Sequence, residues 1–250
     1  MTKLVHFLIA QCLFKEEQKF PIAVLVNMKT YVFIGANSDI AIEARKLQES
    51  KGNKVLSISR STNAEFDDYL IGDPVKNELP EILEPIDGLV YFPGSIALKP
   101  FRSLKQSDFL GDFETSVVGA VNSIQAYFPK FNVGSKILLF SSVAVQTGMP
   151  FHSLVSTSKG ALEGLTRALA AEFAPKICVN CIAPSLTDTK LAARLLNSEE
   201  KRIAMDQRHP LKKIGSVQEL SACIDFLLNG STWITGQILH VDGGMSSIKA

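Results

Sequence analysis

Short apolar runs alternate with helical patterns along most of this 250-residue chain. From Met28 onward the strand-like runs are TYVFIG, KVLSIS, GLVYF, KILLFSS, ICVNCIA and QILHV, and a weaker run, YLIGD, ends in Asp73. Helical patterns lie between them: one begins near Asp39, one spans residues 107–130, and two others are SLVSTSKGALEGLTRALAAE and SVQELSACIDFLLNG. Apolar strands separated by helices predict a parallel sheet covered on both faces.

The sequence contains no long linker, internal repeat or low-complexity stretch. We therefore predict a single α/β domain over residues 28–250, with its ligand outside the carboxyl ends of the strands. The preceding segment, residues 1–27, has an apolar run that is too short to span a membrane and lacks a cleavage site. Because Met28 stands directly before the first strand, residues 1–27 are either a mobile extension or a start-site artefact. We expect a cytoplasmic protein.

Composition removes several classes of function. The formal net charge is +1 and the basic residues are scattered, so neither nucleic acid nor a membrane surface is an expected partner. Four cysteines in 250 residues do not indicate a disulfide framework. Cys178 and Cys181 form a C-x-x-C, but they lie in a strand, where residues three apart face opposite sides. The four histidines show no ligand spacing, so we expect no structural metal.

The first strand runs into GANSDIAIEARKL, which can form a phosphate-binding turn. Gly35 can supply the tight turn, and Asn37, Ser38 and Asp39 are good N-cap residues. The free N–H groups of the helix that follows would face a pyrophosphate. The full G-x-G-x-x-G pattern is absent, and a carboxylate at Asp39 is unfavourable beside phosphates unless it turns away to cap the helix. By itself, this stretch equally fits an ordinary capped strand–helix turn.

The second strand ends in SISRST, with Arg60 at its tip and no acidic residue there. An acid at this place would accept hydrogen bonds from a ribose hydroxyl, whereas a basic side chain pairs with a 2′-phosphate. NADP(H) is therefore favoured over NAD(H), although a solvated loop arginine is the alternative interpretation.

The later stretches KILLFSSVAV, STSKGALEGLTRALAAEFAPKICVNCIAPSLTDTKL, RHPLKKIGSVQEL and WITGQILHVDGGMSS occur in this order. Together they closely resemble the short-chain dehydrogenase/reductase family, and the similarity extends over nearly all of residues 28–247. The resemblance implies a Rossmann-like, doubly wound parallel sheet of about seven strands. It also implies a nicotinamide cofactor, a small-molecule substrate and a homodimer or homotetramer. The chain looks like a divergent member, because several signature positions differ.

The resemblance assigns a set of cofactor-binding positions. The pyrophosphate turn corresponds to Gly35, Ser38, Asp39 and Ile40. Arg60 matches the position that meets the 2′-phosphate in NADP-dependent members, and Asp73 matches the aspartate that contacts the adenine. In YFPGS, the last half of the family's N-N-A-G corresponds to Pro93 and Gly94, and its two asparagines to Tyr91 and Phe92. The stretch that cradles the nicotinamide carboxamide corresponds to Pro184, Thr187 and Thr189, with Ser185 in place of its glycine.

The family's catalytic set is Asn, Ser, Tyr and Lys. Ser142 matches the serine that orients the substrate oxygen. Lys159 matches the lysine that binds the nicotinamide ribose and lowers the pKa of the tyrosine by its positive charge. Val155 stands at the tyrosine position, one helical turn before Lys159, and Ser116 stands at the asparagine position. The proton donor is thus missing.

Another group can take over the proton donation. His152 lies one turn before Val155, near the expected mouth of the site, and can carry a proton near neutral pH. Its alternative role is to cap or pack the start of the helix. A desolvated Lys159 can also donate. Three hypotheses follow: an NADP(H)-dependent oxidoreductase with an altered acid, a dinucleotide-binding protein that has lost catalysis (a pseudoenzyme acting as sensor or oligomer partner), and a lyase or isomerase on the same scaffold. We favour the first.

Overall fold

A computed structural model describes residues 28–63 and 65–249, so the N-terminal segment 1–27 lies outside the described residues. Within that part of the chain, seven parallel strands form one sheet in the order β3-β2-β1-β4-β5-β6-β7. This confirms the predicted parallel sheet, although the weak run before Asp73 forms only the short strand β3. The strands are β1 Thr30–Ile34, β2 Lys54–Ser59, β3 Leu70–Ile71, β4 Ile86–Tyr91, β5 Phe131–Phe140, β6 Ile177–Pro184 and β7 Ile238–Val241.

Helices cover both faces of the sheet. The long pattern predicted over residues 107–130 is interrupted, because a π-helical turn, Glu114–Val118, separates two α-helices there. A second π-helical turn, Phe226–Gly230, follows the last helix. The α-helices are α1 Asp39–Ser50, α2 Gln106–Phe113, α3 Gly119–Tyr127, α4 Val143–Gln146, α5 Ser153–Phe173, α6 Glu199–Arg208 and α7 Val217–Asp225. The 3₁₀ turns are Phe101–Ser103, Phe128–Lys130 and Lys190–Leu195.

The apolar strands are explained by burial on both faces. Successive side chains of a strand point to opposite faces. On β1, Val32 and Ile34 therefore belong to one apolar cluster, and Tyr31 and Phe33 belong to another. Helix α5 packs on the first cluster through residues such as Leu162, whereas α1 and α7 pack on the second. A strand buried on both sides has no polar face, which is why the sequence runs do not alternate.

The strands are parallel throughout, but the order in which the chain adds them across the sheet reverses at β1. Strands β2 and β3 lie on one side of β1, and β4 to β7 lie on the other. The carboxyl ends of β1 and β4 therefore diverge into helices on opposite faces, and they leave a crevice between them. This topology places Gly35, which follows β1, opposite Phe92 and Pro93, which follow β4.

Cys178 and Cys181 are free thiols in β6, as the strand position predicts. Within residues 28–63 and 65–249, no cluster of His, Cys, Asp or Glu is arranged to hold a metal ion. In the same part of the chain, no helix has the length and apolar character needed to cross a membrane.

Candidate functional site

The turn after β1 requires glycine. Gly35 has φ +75°, and a Cβ atom there would lie 2.7 Å from Cγ of Pro93. The turn is anchored to β2, because the Gly35 N–H donates to the carbonyl of Ile58 at 2.9 Å. Ser38 is the N-cap of α1, and its hydroxyl accepts from the Ala41 N–H at 3.2 Å. The first turn of α1 thus points backbone N–H groups toward the crevice, as a phosphate-binding turn must.

Asp39 does not cap its own helix, contrary to one of our expectations. Its carboxylate accepts from the backbone N–H of Lys190 at 2.6 Å, and it lies 3.3 Å from Lys190 Nζ. Ser38 already fills the N-cap position of α1, so the Asp39 side chain binds the first N–H of the 3₁₀ turn Lys190–Leu195, whose N-cap is Thr189. The contact ties the phosphate turn to the 3₁₀ turn Lys190–Leu195, and Lys190 balances the carboxylate charge of Asp39.

A cavity of about 630 Å³ starts at this turn and follows the carboxyl ends of the strands. It brings together most of the residues that the sequence assigned to cofactor and substrate. These residues are Gly35, Ser38, Asp39, Ile40, Pro93, Gly94, Ser142, His152, Val155, Lys159, Pro184, Thr187 and Thr189. They come from distant parts of the chain, so their convergence is a property of the fold and not of local sequence.

Arg60 and Asp73 lie outside the cavity lining. Arg60 is exposed directly after β2, and Asp73 follows β3 at the same edge of the sheet. The Asp73 carboxylate accepts from the Val75 N–H at 3.0 Å, which orders a tight turn. The two residues therefore lie at the carboxyl edge of the sheet, beside the Gly35 end of the crevice, where an adenosine moiety is expected from the resemblance.

Lys159 is a buried cation in the cavity wall. The residue is only 7% exposed and lines the cavity, and none of the hydrogen bonds or ion pairs found among the described residues involves its Nζ. Gly94 makes room for it, because a Cβ atom at that position would lie 2.7 Å from Lys159 Nζ. Burial lowers the pKa of Lys159, while Cys181 and Asp112 act in the opposite direction. The ammonium thus keeps its N–H donors for a ligand, at an energetic cost.

Val155 and Lys159 share one face of α5, as their spacing predicts. Val155 is 6% exposed and contributes an aliphatic side chain to the cavity wall. Ser142 is the N-cap of α4, and its Oγ accepts from the Ala144 N–H at 3.3 Å. An N-cap hydroxyl uses a lone pair for this bond, so the O–H hydrogen of Ser142 remains available to a ligand.

Ser116 lies outside the cavity lining. It is completely buried within the π-helical turn Glu114–Val118, and its hydroxyl has no partner among the described residues. Tyr91, at the end of β4, instead reaches this turn, and its hydroxyl donates to the Thr115 carbonyl at 2.6 Å. The short serine side chain thus stays in the packed interior.

His152 lines the cavity at the start of α5 and makes no side-chain capping bond to the helix. Its Nδ1 lies 2.7 Å from the Pro150 carbonyl oxygen. A carbonyl can only accept, so Nδ1 carries a hydrogen and Nε2 remains for a second proton. This arrangement is compatible with the predicted role as a proton carrier.

Two polar pairs in the cavity wall escaped the sequence analysis. Ser95 donates to the buried carboxylate of Asp112. Ser185 Oγ lies 2.8 Å from Nε2 of the buried His209, whose Nδ1 lies 2.9 Å from the Met205 carbonyl oxygen. That carbonyl can only accept, so Nδ1 of His209 carries a hydrogen, and the Ser185 hydroxyl also donates to Met245 Sδ at 3.4 Å. Each pair joins two segments that are distant in the sequence, so no local spacing of residues predicts these hydrogen bonds.

The end of the cavity beyond Lys159 is mainly apolar. The 3₁₀ turn Lys190–Leu195 packs into a small apolar cluster, in which Ala192 and Leu196 meet Ile214, and helix α6 follows it. The apolar side chains that line this end are Ile96, Leu98, Met149, Leu191, Leu195, Met205 and Met245.

The sheet and the crevice at its switch point define a Rossmann-like α/β protein. Residues 36–246 match the family model described as enoyl-(acyl carrier protein) reductase. The chain is 31% identical to glucose 1-dehydrogenase of Gluconobacter oxydans over 182 residues, which cover 70% of this chain and 68% of that protein. The chain belongs to the short-chain dehydrogenase/reductase family, which confirms the resemblance.

Other relatives match over a shorter region. Tropinone reductase-like 3 of Erythroxylum coca is 32% identical, over 54% of this chain and 53% of that protein. The chain thus spans about half the length of this relative. Among solved structures, ligand-free aldohexose dehydrogenase of Thermoplasma acidophilum has a TM-score of 0.80 at 24% identity and covers 90% of this chain and 98% of its own. ElxO with NADP bound has a TM-score of 0.78 at 26% identity, over 88% of this chain and 100% of its own.

Proposed function

We propose that this protein is an NADP(H)-dependent oxidoreductase that reduces or oxidises a small carbonyl or alcohol, with an altered proton donor. The observation that carries the proposal is the buried, unpartnered ammonium of Lys159, which shares one cavity with Ser142 and the Gly35 turn. Burying an ammonium without a partner is costly, so a ligand that pairs with it is the simplest reason for its position.

The residues present fit a nicotinamide dinucleotide. The Gly35 turn and the N-terminus of α1 offer N–H groups for a pyrophosphate, and Lys159 offers donors for ribose hydroxyls. When bound, the cofactor supplies or accepts a hydride at the substrate carbon. The side chains of this chain must therefore hold the substrate oxygen and manage its proton.

Ser142 can donate a hydrogen bond to the substrate oxygen, while Val155 offers no proton. Lys159, whose pKa is lowered by burial, and His152 line the same cavity as Ser142. A lowered pKa makes an ammonium a better acid. When the substrate oxygen takes the proton, an N–H bond breaks, an O–H bond forms, and the neutral donor is protonated again by solvent.

The proposal of NADP(H) over NAD(H) rests on Arg60. Its guanidinium is exposed at the end of β2, and no hydrogen bond or ion pair within the described residues occupies it. An arginine free of other partners can form a bidentate contact with a 2′-phosphate. The related ElxO structure has NADP bound, which is a property of that protein and is consistent with the proposal made here.

A second candidate is a dinucleotide-binding protein without catalysis. The aliphatic side chain of Val155 and the fully buried Ser116 favour it, because neither can replace the usual polar group in the cavity. Under this alternative, the cofactor positions keep their binding role and no substrate is converted. The homodimer or homotetramer and the cytoplasmic location also stay predictions.

The two candidates are separated by binding and turnover on the same preparation. NADPH and NADH are titrated by calorimetry, and NADPH oxidation is then followed with a panel of small aldehydes and ketones. The variants are His152→Ala and Lys159→Ala, with Thr157→Ala, an exposed residue of the same helix, as the control. Turnover that Lys159→Ala abolishes and Thr157→Ala preserves supports the oxidoreductase. NADPH binding without turnover supports the second candidate, and no binding of either nucleotide would refute both.

A further inference from the structure

A buried carboxylate stands behind the cavity wall near Lys159. Asp112, in the last turn of α2, is only 7% exposed. Its partner is the hydroxyl of Ser95, which donates to Oδ1, and Ser95 itself lines the cavity. A carboxylate in a packed interior needs such a partner, because it has lost most of its water. The bond therefore fixes the negative charge at a defined place beside the cavity.

The path of the backbone places the Ser95–Asp112 pair near the ammonium of Lys159. Ser95 directly follows Gly94, whose missing side chain provides the space for Lys159 Nζ, since a Cβ atom there would lie 2.7 Å from it. Helix α2 and the π-helical turn after it also pack against α5, which carries Lys159. The loop after β4 and helix α2 thus bring Ser95 and Asp112 to the same side of the lysine.

Two titratable groups face Lys159 from the elements packed around it, Asp112 from α2 and Cys181 from β6. Residues 93–95 and helix α4 contain no titratable side chain. Burial raises the pKa of the Cys181 thiol to about 12, so Cys181 is uncharged at neutral pH. Asp112 is therefore the carboxyl group that opposes the effect of burial on Lys159.

We propose that Ser95 and Asp112 form an internal counter-charge that keeps Lys159 protonated inside the cavity. Asp112 acts through Lys159 and is a positioning residue, and Ser95 holds its carboxylate in place. The use of this proton for a substrate oxygen rests on the proposed function. The electrostatic coupling itself does not, because it exists in the protein with or without a substrate.

Lysine NMR measures the coupling directly. The protein is labelled with ¹³C at the lysine ε-carbon, and the Lys159 signal is assigned by its absence in Lys159→Arg. A pH titration then compares the wild type with Asp112→Asn, which keeps the size and the bond to Ser95 but removes the charge. Glu114→Gln, which removes an exposed carboxylate from the adjoining turn, is the matched control. Ser95→Ala is the second test variant.

We expect the Lys159 midpoint to move to lower pH by about one unit or more in Asp112→Asn, because an opposite charge at close range shifts a pKa by about that much. Ser95→Ala should move it in the same direction by less, and Glu114→Gln should leave it in place. An unchanged midpoint in folded Asp112→Asn overturns the proposal. If that variant does not fold, an unchanged midpoint in Ser95→Ala overturns it. The titration needs no turnover, so a failed assay of enzyme activity does not affect its result.

Discussion

Restoring a phenol at position 155 tests the central chemical argument. Val155 and Lys159 are four residues apart on α5 and both line the cavity. Side chains at this spacing have Cβ atoms about 5–6 Å apart. In Val155→Tyr, the ring can extend into the adjoining cavity, with its hydroxyl near the ammonium. The positive charge of Lys159 would then lower the pKa of the new phenol and make it a better acid.

The size of the effect follows from the role of the missing group. A positioned general acid accelerates a reaction by about 10²–10⁴-fold, which corresponds to about 3–5 kcal/mol of the barrier. Overpacking a buried valine site typically costs about 1–3 kcal/mol of stability. That cost should be at the low end here, because Val155 borders a cavity of about 630 Å³ and not a filled core. We therefore expect a folded variant with carbonyl reduction increased at least about 100-fold.

The assay compares kcat/KM for NADPH-dependent reduction in the wild type, Val155→Tyr and Val155→Phe. The phenylalanine variant has the same ring without the hydroxyl, so it separates acid catalysis from a change in cavity shape. NADPH affinity is measured in all three by calorimetry. The reasoning is refuted if Val155→Tyr binds NADPH and gains no activity, or if Val155→Phe gains as much.

Three further predictions address the cofactor and the buried charge. Arg60→Ala should weaken NADPH binding about tenfold or more by loss of a charge-assisted contact, while NADH binding and the exposed control Arg102→Ala stay unchanged in calorimetry. Gly35→Ala should lower the melting temperature, because it combines φ +75° with a contact of 2.7 Å to Pro93 Cγ. The expected loss is about 1–3 kcal/mol, and a wild-type melting curve would contradict it. In an Asp112→Asn background, which removes the neighbouring carboxylate charge, Lys159→Met should raise stability by about 1–3 kcal/mol in denaturant unfolding at neutral pH. Because burial lowers the folded-state pKa of Lys159, the gain should be greatest where the lysine is charged in both states and should shrink as pH rises through that pKa toward 10.5. A gain that grows with pH would contradict the assignment.

The sequence was sufficient for the sheet because its central strands are buried on both faces. The apolar runs of β1, β4, β6 and the second half of β5 are the direct result of that burial. The interruption of the helix at Glu114–Val118 was not predictable in the same way. It depends on tertiary contacts such as the bond from Tyr91 to the Thr115 carbonyl, which joins the turn to β4. A helical hydrophobic pattern does not record such a contact.

The residues of the candidate site also fall into two groups, those that belong to local motifs and those that depend on tertiary contacts. Gly35 and Lys159, which the sequence assigned from local motifs, both line the cavity. Asp112 and His209 were missed, because their partners Ser95 and Ser185 lie on other segments. The role of a buried polar side chain depends on its hydrogen-bond partner, and that partner is determined only when the chain is folded.

The handling of charge in the cavity gives a reason to regard the site as functional. The carboxylate of Asp39 is paired with Lys190 near the surface, where such a contact has a small effect on stability. Lys159 differs, since it is buried in the cavity wall and makes no hydrogen bond or ion pair among the described residues. An apolar side chain at position 159 would avoid this desolvation and stabilise the fold. A lysine that served only packing would thus be an unfavourable choice, whereas a lysine that binds a ribose or holds a proton must remain unpaired until its ligand arrives. The aliphatic side chain of Val155 in the same cavity wall donates no proton and leaves that requirement unchanged.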